Sequence, residues 1–259
     1  MPAARSVDAS STPTTVGHRR TEKLSEVLAR EIVRDLRDLE PSTMLPPEAV
    51  MLEKYRVGRA SLREALRLLE VQGLIVIRPG PGGGPMVAQA DSVHYGRTSS
   101  LYYHMLGATY HDVVAARAVI EPALARVVAE KQEPEHLAAL KAFLAKQKEN
   151  TAEPGTDEDY QRYVAESSGF HAMLAGLAGN AVLSLAAHSL QDILLDRVHG
   201  LFPPEDRQRV EEDHAKIAKA ILKGDASGVE RMMRVHMLEY VQHAEDRHPG
   251  MMDETVDWH

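Results

Sequence analysis

Residues 45–78, LPPEAVMLEKYRVGRASLREALRLLEVQGLIVIR, decide how the N-terminal third of the chain folds. Pro46, Pro47 and Glu48 open a short helix with Met51 and Leu52 turned inward, and Arg56, Val57 and Gly58 break it. Gly58 is expected to take the positive φ of that turn, which other residues resist. A second helix runs from Arg59 to about Val71, with Leu62, Ala65, Leu66 and Leu69 at helical spacing on one face. Arg59, Ser61, Arg63 and Arg67 occupy the other face. After Gly73 the period changes to two through Leu74 and Val76, which marks a strand entering a wing. Pro79-Gly-Pro-Gly-Gly-Gly-Pro85 is too rich in breakers for a strand and forms the wing tip. No Gly-Lys-Ser/Thr follows, so it is not a phosphate loop. The pattern is that of a winged helix-turn-helix, which sets the start of one helix into the DNA major groove.

Outward from this stretch, Leu24, Val27, Leu28, Ile32 and Leu36 predict an amphipathic helix over 22–38 that packs behind the two reading helices. Residues 1–20 are Ser, Thr, Pro and Ala without periodicity, a disordered tail. The DNA-binding domain therefore takes 21–88, and a linker, part of it a short helix, takes 89–108. Helical patterns then fill 110–131, 134–150, 157–177, 180–199, 204–223 and 225–246, with breaks at 152–155, Gly179-Asn180 and Gly224-Asp225. Asn180 suits an N-cap. The fold class is mainly α: a winged helix-turn-helix, then an all-α antiparallel bundle over 109–247. A loosely ordered tail, 248–259, ends the chain.

The net charge is −8, an odd sum for a DNA binder until it is divided. Residues 54–78 hold six basic groups against two acids, whereas 79–259 hold 17 against 27. DNA responds to the local field within about a Debye length, so the basic stretch is what matters. There is no cysteine, which rules out disulfides and thiolate metal sites and suits a reducing cytoplasm. No apolar run approaches the roughly 20 residues that span a bilayer, and no membrane partner is expected.

Three histidines in the bundle region stand out. His171 lies within one helix, and His214 and His236 lie on the last two, with 43 and 22 residues separating them in turn. If the last two helices form an antiparallel hairpin, His214 and His236 stand at similar heights, and His171 can join them from a third helix. Converging imidazoles suit a divalent ion such as Zn²⁺ or Ni²⁺. A single His on such a face is more often a hydrogen-bonded core residue. His188, Met173, Met232 and Met233 read as core or cavity lining, and the acidic runs 211–213 and 157–159 as solvated faces or helix starts.

The pattern LPPE, VGRASLREALRLLEVQGL and RPGPGGG resembles the N-terminal domain of the GntR family of bacterial transcription regulators over roughly 22–88. Phe-His followed by Gly-Asn, His-x-x-Ile followed by Gly-Asp, and a final His are similar to the FCD ligand-binding domain of the FadR subfamily over about 105–245. The resemblance implies a homodimer that binds double-stranded operator DNA and responds to a small acidic effector. It places DNA contacts at Arg59, Ser61, Arg63, Arg67 and Gly80. It places the effector at Arg117, Ser167, His171, His214 and His236, with a metal on the three histidines. Arg117 is expected to point into the cavity, with a salt bridge to Glu121 as the plainer alternative.

Two positions depart from the family pattern. Metal-binding FCD proteins usually carry an Asp one turn before the Phe-His histidine, and here Ser167 stands there. Glu166 is no substitute, being about 140° around the helix from His171. An Arg usually follows the LPxE glutamate, and here Ala49 does. A metal-free, acyl-CoA-responsive regulator and a three-His metalloenzyme are the alternatives. The enzyme leaves residues 45–85 without a purpose and places no carboxylate as general base on the histidine face.

Overall fold

The computed structural model describes residues 22–89, 91–149, 157–195, 197, 204–247 and 250–258; the expected disordered tail 1–20 and the loop at 152–155 lie outside them. The chain divides into two compact units, Met1–Gln89 and Ala90–His259. Helix makes up most of the described residues, and their one sheet has two strands.

The first unit is a winged helix-turn-helix. Helices α1 (Leu24–Leu36), α2 (Glu48–Tyr55) and α3 (Arg59–Val71) precede the strands β1 (Ile75–Arg78) and β2 (Gly84–Val87). Its core joins Leu28 and Ile32 of α1, Met51 of α2, Leu62, Ala65 and Leu69 of α3, and Ile75 and Val87 of the wing. The turn between α2 and α3 is built differently from expectation. Gly58 is extended, with φ −80°, and caps the start of α3; Arg56 takes the left-handed conformation, with φ 53°. The Arg56 conformation ends α2, so the sharp change of direction falls two residues before the glycine. After α3, Gly73 at φ 70° lets the Leu74 N–H reach back to the Leu69 carbonyl, which closes the helix and starts the wing.

The wing strands pair antiparallel from Ile75↔Val87 to Arg78↔Gly84. Residues 42–45 extend the sheet on the far side of β2, through Leu45 N–H to Pro85 O at 2.8 Å and Val87 N–H to Thr43 O at 2.9 Å. The second unit holds α4 (Ser92–Leu106), α5 (Tyr110–Lys131), α6 (Pro134–Glu149), α7 (Asp157–Leu177), α8 (Ala181–Leu195), α9 (Pro204–Leu222) and α10 (Ala226–Arg247). Helix α5 is the axis: α7, α8, α9 and α10 all pack on it. Leu124, Val128, Phe170, Ile217, Ile221, Val229, Met233 and Met237 form the core around it. Side-chain caps set the ends: Asp91 accepts from His94 N–H, Asn180 from Leu183 N–H and Asp225 from Gly228 N–H. Thr109 and Asp112 form a reciprocal capping box.

Two expectations need correction. The stretch read as a linker with part of it a short helix, 89–108, is mostly the 15-residue α4, which packs along α8. Gly96 of α4 faces the Ser189 backbone closely enough to explain why a small residue stands there. The tail read as loosely ordered buries Met252 and Val256 against Tyr110 and Leu194. No helix among the described residues is long and apolar enough to cross a membrane.

At the wing tip, a Cβ on Gly83 would run into the Arg78 and Gly80 carbonyl oxygens. Gly83→Ala should therefore open the hairpin. Hydrogen exchange should show lost protection at Val76 and Met86 N–H with α1–α3 unchanged; unaltered wing protection would refute this account of the tip.

Candidate functional site

In the first unit, Arg59 stands 81% exposed at the start of α3, with Arg63 and Arg67 exposed farther along the helix. Ser61 is half-buried. Arg59 Nε lies 3.6 Å from Glu48 of α2, a loose surface pair. Gly80, at φ 95°, stands exposed at the wing tip with open space around its Cα. These five residues lie on the one unit that carries the helix-turn-helix.

In the second unit α7, α9 and α10 carry His171, His214 and His236 to one point. All three are buried, and their ligand nitrogens lie within 4.8 Å of one another. The His236 Nε2 atom is 3.1 Å from His214 Nε2 and 3.4 Å from His171 Nε2. Nitrogens sharing a tetrahedral Zn²⁺ at about 2.0–2.1 Å stand roughly 3.3 Å apart, so these spacings suit a shared ion. Stacking of Phe170 on His214, with ring centroids 4.3 Å apart, holds that imidazole in place.

Glu121 gives the cluster its direction. His171 donates its Nδ1–H to Glu121 Oε2 at 2.5 Å, which leaves the Nε2 lone pair facing the other histidines. The other carboxylate oxygen of Glu121 accepts from Arg117 Nε at 2.6 Å, and Arg117 and Glu121 are both buried. Burial acts most strongly on Glu121 and would raise its carboxyl, but Arg117 and then His171 outweigh it and hold the group down at about 2. Burial also pushes His236 down to about 3, helped by His171 and opposed by Glu121. His214 falls well below 6.5 through burial, then through His236 and His171. Near neutral pH both of these imidazoles are uncharged, the form that binds metal.

A cleft of about 750 Å³, counted out to its open mouth, reaches His171 and His236. Arg117, Ser167, Tyr163, Gln191 and Tyr240 also line it. Both alternatives for Arg117 therefore hold at once: Nε is bound to Glu121 while the side chain faces the cleft. Ser167 stands in the same cleft and hydrogen-bonds Tyr163. Glu166 points away, 3.6 Å from Lys146 of α6. Asp213, read as part of a solvated face, instead lines the cleft and pairs with Lys216 at 2.8 Å. His188 spends its Nε2 on the Ala172 carbonyl, and Met233 is core. The Glu121–His171 contact had no sequence signal, because it joins helices 50 residues apart.

A winged helix-turn-helix unit followed by a helical bundle that buries three imidazoles is an order of units that suits a transcription regulator. Residues 24–83 match the bacterial regulatory proteins of the gntR family and residues 112–239 match the FCD domain. The chain belongs to the GntR family, among the members that carry an FCD domain. It is 27% identical over 241 residues to the HTH-type transcriptional repressor NanR of Edwardsiella tarda, covering 88% of this chain and 90% of that protein. It is also 27% identical over 234 residues to an uncharacterized HTH-type transcriptional regulator of Mycobacterium tuberculosis, covering 87% and 93%. The GntR structure from Streptococcus agalactiae shares the fold, with a TM-score of 0.62 at 20% identity over 85% of this chain and 97% of that one.

The depressed histidines and Glu121 set an acid limit for the metal-free protein. Unfolding restores His236 and His214 to about 6.5 and Glu121 to about 4.5, so the unfolded chain binds more protons below those values. Stability should fall as pH drops from about 6.5 toward 3 through the histidines, and from about 4.5 toward 2 through Glu121. Urea unfolding across that range checks the sign; flat stability between pH 6.5 and 4.5 would contradict the buried neutral histidines.

Proposed function

We propose that the protein is a homodimeric regulator that binds operator DNA through α3 and the wing, and that a small carboxylate entering the cleft alters that binding. In this reading Arg59 and Arg63 reach base edges, Ser61 and Arg67 contact phosphate, and Gly80 lets the wing backbone approach the DNA. His171, His214 and His236 hold a divalent ion, Zn²⁺ or Ni²⁺, and Glu121 orients His171. The ion supplies a Lewis-acidic position for a carboxylate oxygen, while Arg117 and Ser167 offer donors to the rest of the effector. The observation that carries the reading is the convergence of three imidazole nitrogens beside a cleft that reaches His171 and His236 and is also lined by Arg117. Relatives named as repressors support repression as the mode of control, and action on DNA supports a cytoplasmic location.

On the DNA side, Arg59→Ala and Arg63→Ala should each cost about 1–3 kcal/mol of specific binding with the fold intact. Anisotropy on an operator selected from random-sequence DNA measures this, and undiminished affinity in both variants would remove the recognition-helix assignment. Two-fold symmetry of the site should show as an inverted repeat, and sedimentation should find a dimer.

On the effector side, Arg117→Ala would strand the buried Glu121 charge, so Arg117→Lys is the cleaner probe. Effector coupling of about 1–3 kcal/mol shifts operator affinity roughly 5- to 150-fold. Arg117→Lys and His214→Ala should each abolish that shift and leave effector-free DNA binding nearly unchanged. A panel of small carboxylates and acyl-CoAs, read by calorimetry, supplies the effector. Metal analysis of the purified protein decides between the metal-dependent and acyl-CoA readings: zinc or nickel near one per chain supports the first, and a metal-free protein that binds acyl-CoA sinks it.

A further inference from the structure

The C-terminal segment 250–258 touches both the cleft wall and the corner between α4 and α5. The first N–H groups of a helix have no partner inside it. In α5 the segment supplies them: Tyr110 N–H donates to the Glu254 carbonyl at 3.1 Å and His111 N–H to the Met252 carbonyl at 2.9 Å. Val256 N–H donates to the Ala108 carbonyl at 2.9 Å, and His104 Nδ1, in the last turn of α4, meets the Val256 carbonyl at 2.8 Å. Arg197, beyond α8, pairs with Asp257, lies 3.4 Å from Glu254, and donates from Nε to the Tyr110 hydroxyl at 3.2 Å. Met252 and Val256 are buried beneath these polar ties.

The other end of the segment meets the cleft from outside. Met251 packs against buried Tyr163, where Val164, Val210 and Tyr240 also pack. Those four residues line the cleft. The same short segment thus braces the apolar wall of the cleft and is stitched to the corner at which α4 gives way to α5.

We infer that residues 250–258 form a strap that holds the tyrosine wall of the cleft closed and ties its opening to the α4–α5 corner. The inference rests on the cleft being the effector site. The polar ties face water at little cost when released, because exposed helix N–H groups hydrogen-bond to solvent, while Met252 and Val256 restore the docked state. Loosening the wall therefore pulls on Tyr110 and His104, and α4 is the helix by which the chain enters its second unit.

Access to the buried histidines tests this without metal or effector. Diethyl pyrocarbonate labelling of the metal-free protein, read per residue by mass spectrometry, uses exposed His94 as internal standard. In a chain ending at residue 249, His171 and His236 should label on the order of tenfold faster than in the wild type, since local opening governs access. Met251→Ser, which keeps every polar tie, should raise the rate several-fold. Hydrogen exchange at Val256 and His111 N–H, which bond Ala108 and Met252, reports that the strap stays docked in that variant. If the truncated chain fails to fold, Met251→Ser decides alone. Wild-type labelling rates in the folded variants would overturn the strap. Equilibrium dialysis of the wild type against Zn²⁺ tests the metal reading separately, because a chain that binds no zinc still labels at a rate set by the wall.

Discussion

A single buried carboxylate governs the second unit. Glu121 sits in the middle of α5, the helix on which α7, α8, α9 and α10 pack, and it is shielded from water. A lone carboxylate there would protonate or destabilise the fold by several kcal/mol. Arg117 one turn away keeps it ionised, and the ionised group in turn fixes which nitrogen of His171 carries the proton. Removal of either partner leaves a buried charge uncompensated. A buried pair adds little net stability over an apolar replacement, so its physical effect here is orientation. It aims one imidazole, and the other two converge on that aim.

The two units solve opposite electrostatic problems. Around α3 the excess of arginine stays in water, with Arg59 only loosely paired to Glu48, so that in the proposed reading the guanidinium forks would be free to meet DNA. At the histidine cluster of the bundle the ionisable groups are taken out of water, and Arg117, Glu121 and the imidazoles are matched or neutralised there. Burial suppresses protonation of His214 and His236, whereas the Arg117–Glu121 pair retains its charge because the two partners cancel. The acidic excess of the remaining chain falls on surfaces, where salt screens it.

How much of this was legible in the sequence follows from how far apart the interacting residues lie. The α3 face, the wing glycines and the histidine trio showed because each rests on local periodicity or on a recognisable run of residues. The helix ends of α3, α5 and α7 fell where the caps and breakers put them. The turn before α3 was misplaced because a glycine favours positive φ without requiring it, and Arg56 reached that conformation at the helix end. Part of 89–108 read as a short helix, but the full length of α4 did not show, because the weak helical tendency of a stretch mixing Gly, Ser and Thr is overridden by packing on α8. The Glu121–His171 bond and the burial of residues 250–258 join positions far apart in the chain, so no local pattern announces them.

The replacement of an aspartate by Ser167 has a consequence for charge, not only for ligand number. With all three imidazoles in the uncharged form that metal ligation requires, the buried group of Arg117, Glu121 and the histidines has no net charge. A divalent ion held by the imidazoles alone would bring its full double charge into a low-dielectric cleft, where an aspartate ligand would have cancelled half of it. None of the nearby carboxylates is placed to make up the difference, because Glu121 is engaged behind His171, Asp213 is paired with Lys216, and Glu239 lies 3.5 Å from Arg209. The remaining counter-charge then has to come from the ligand itself. An anionic effector would therefore bind with the ion in a coupled manner, each raising the affinity of the other by the same factor. In the proposed reading a histidine-only shell would make the anion part of the metal site, and that coupling would let the cleft discriminate a small acid from a neutral molecule of the same shape.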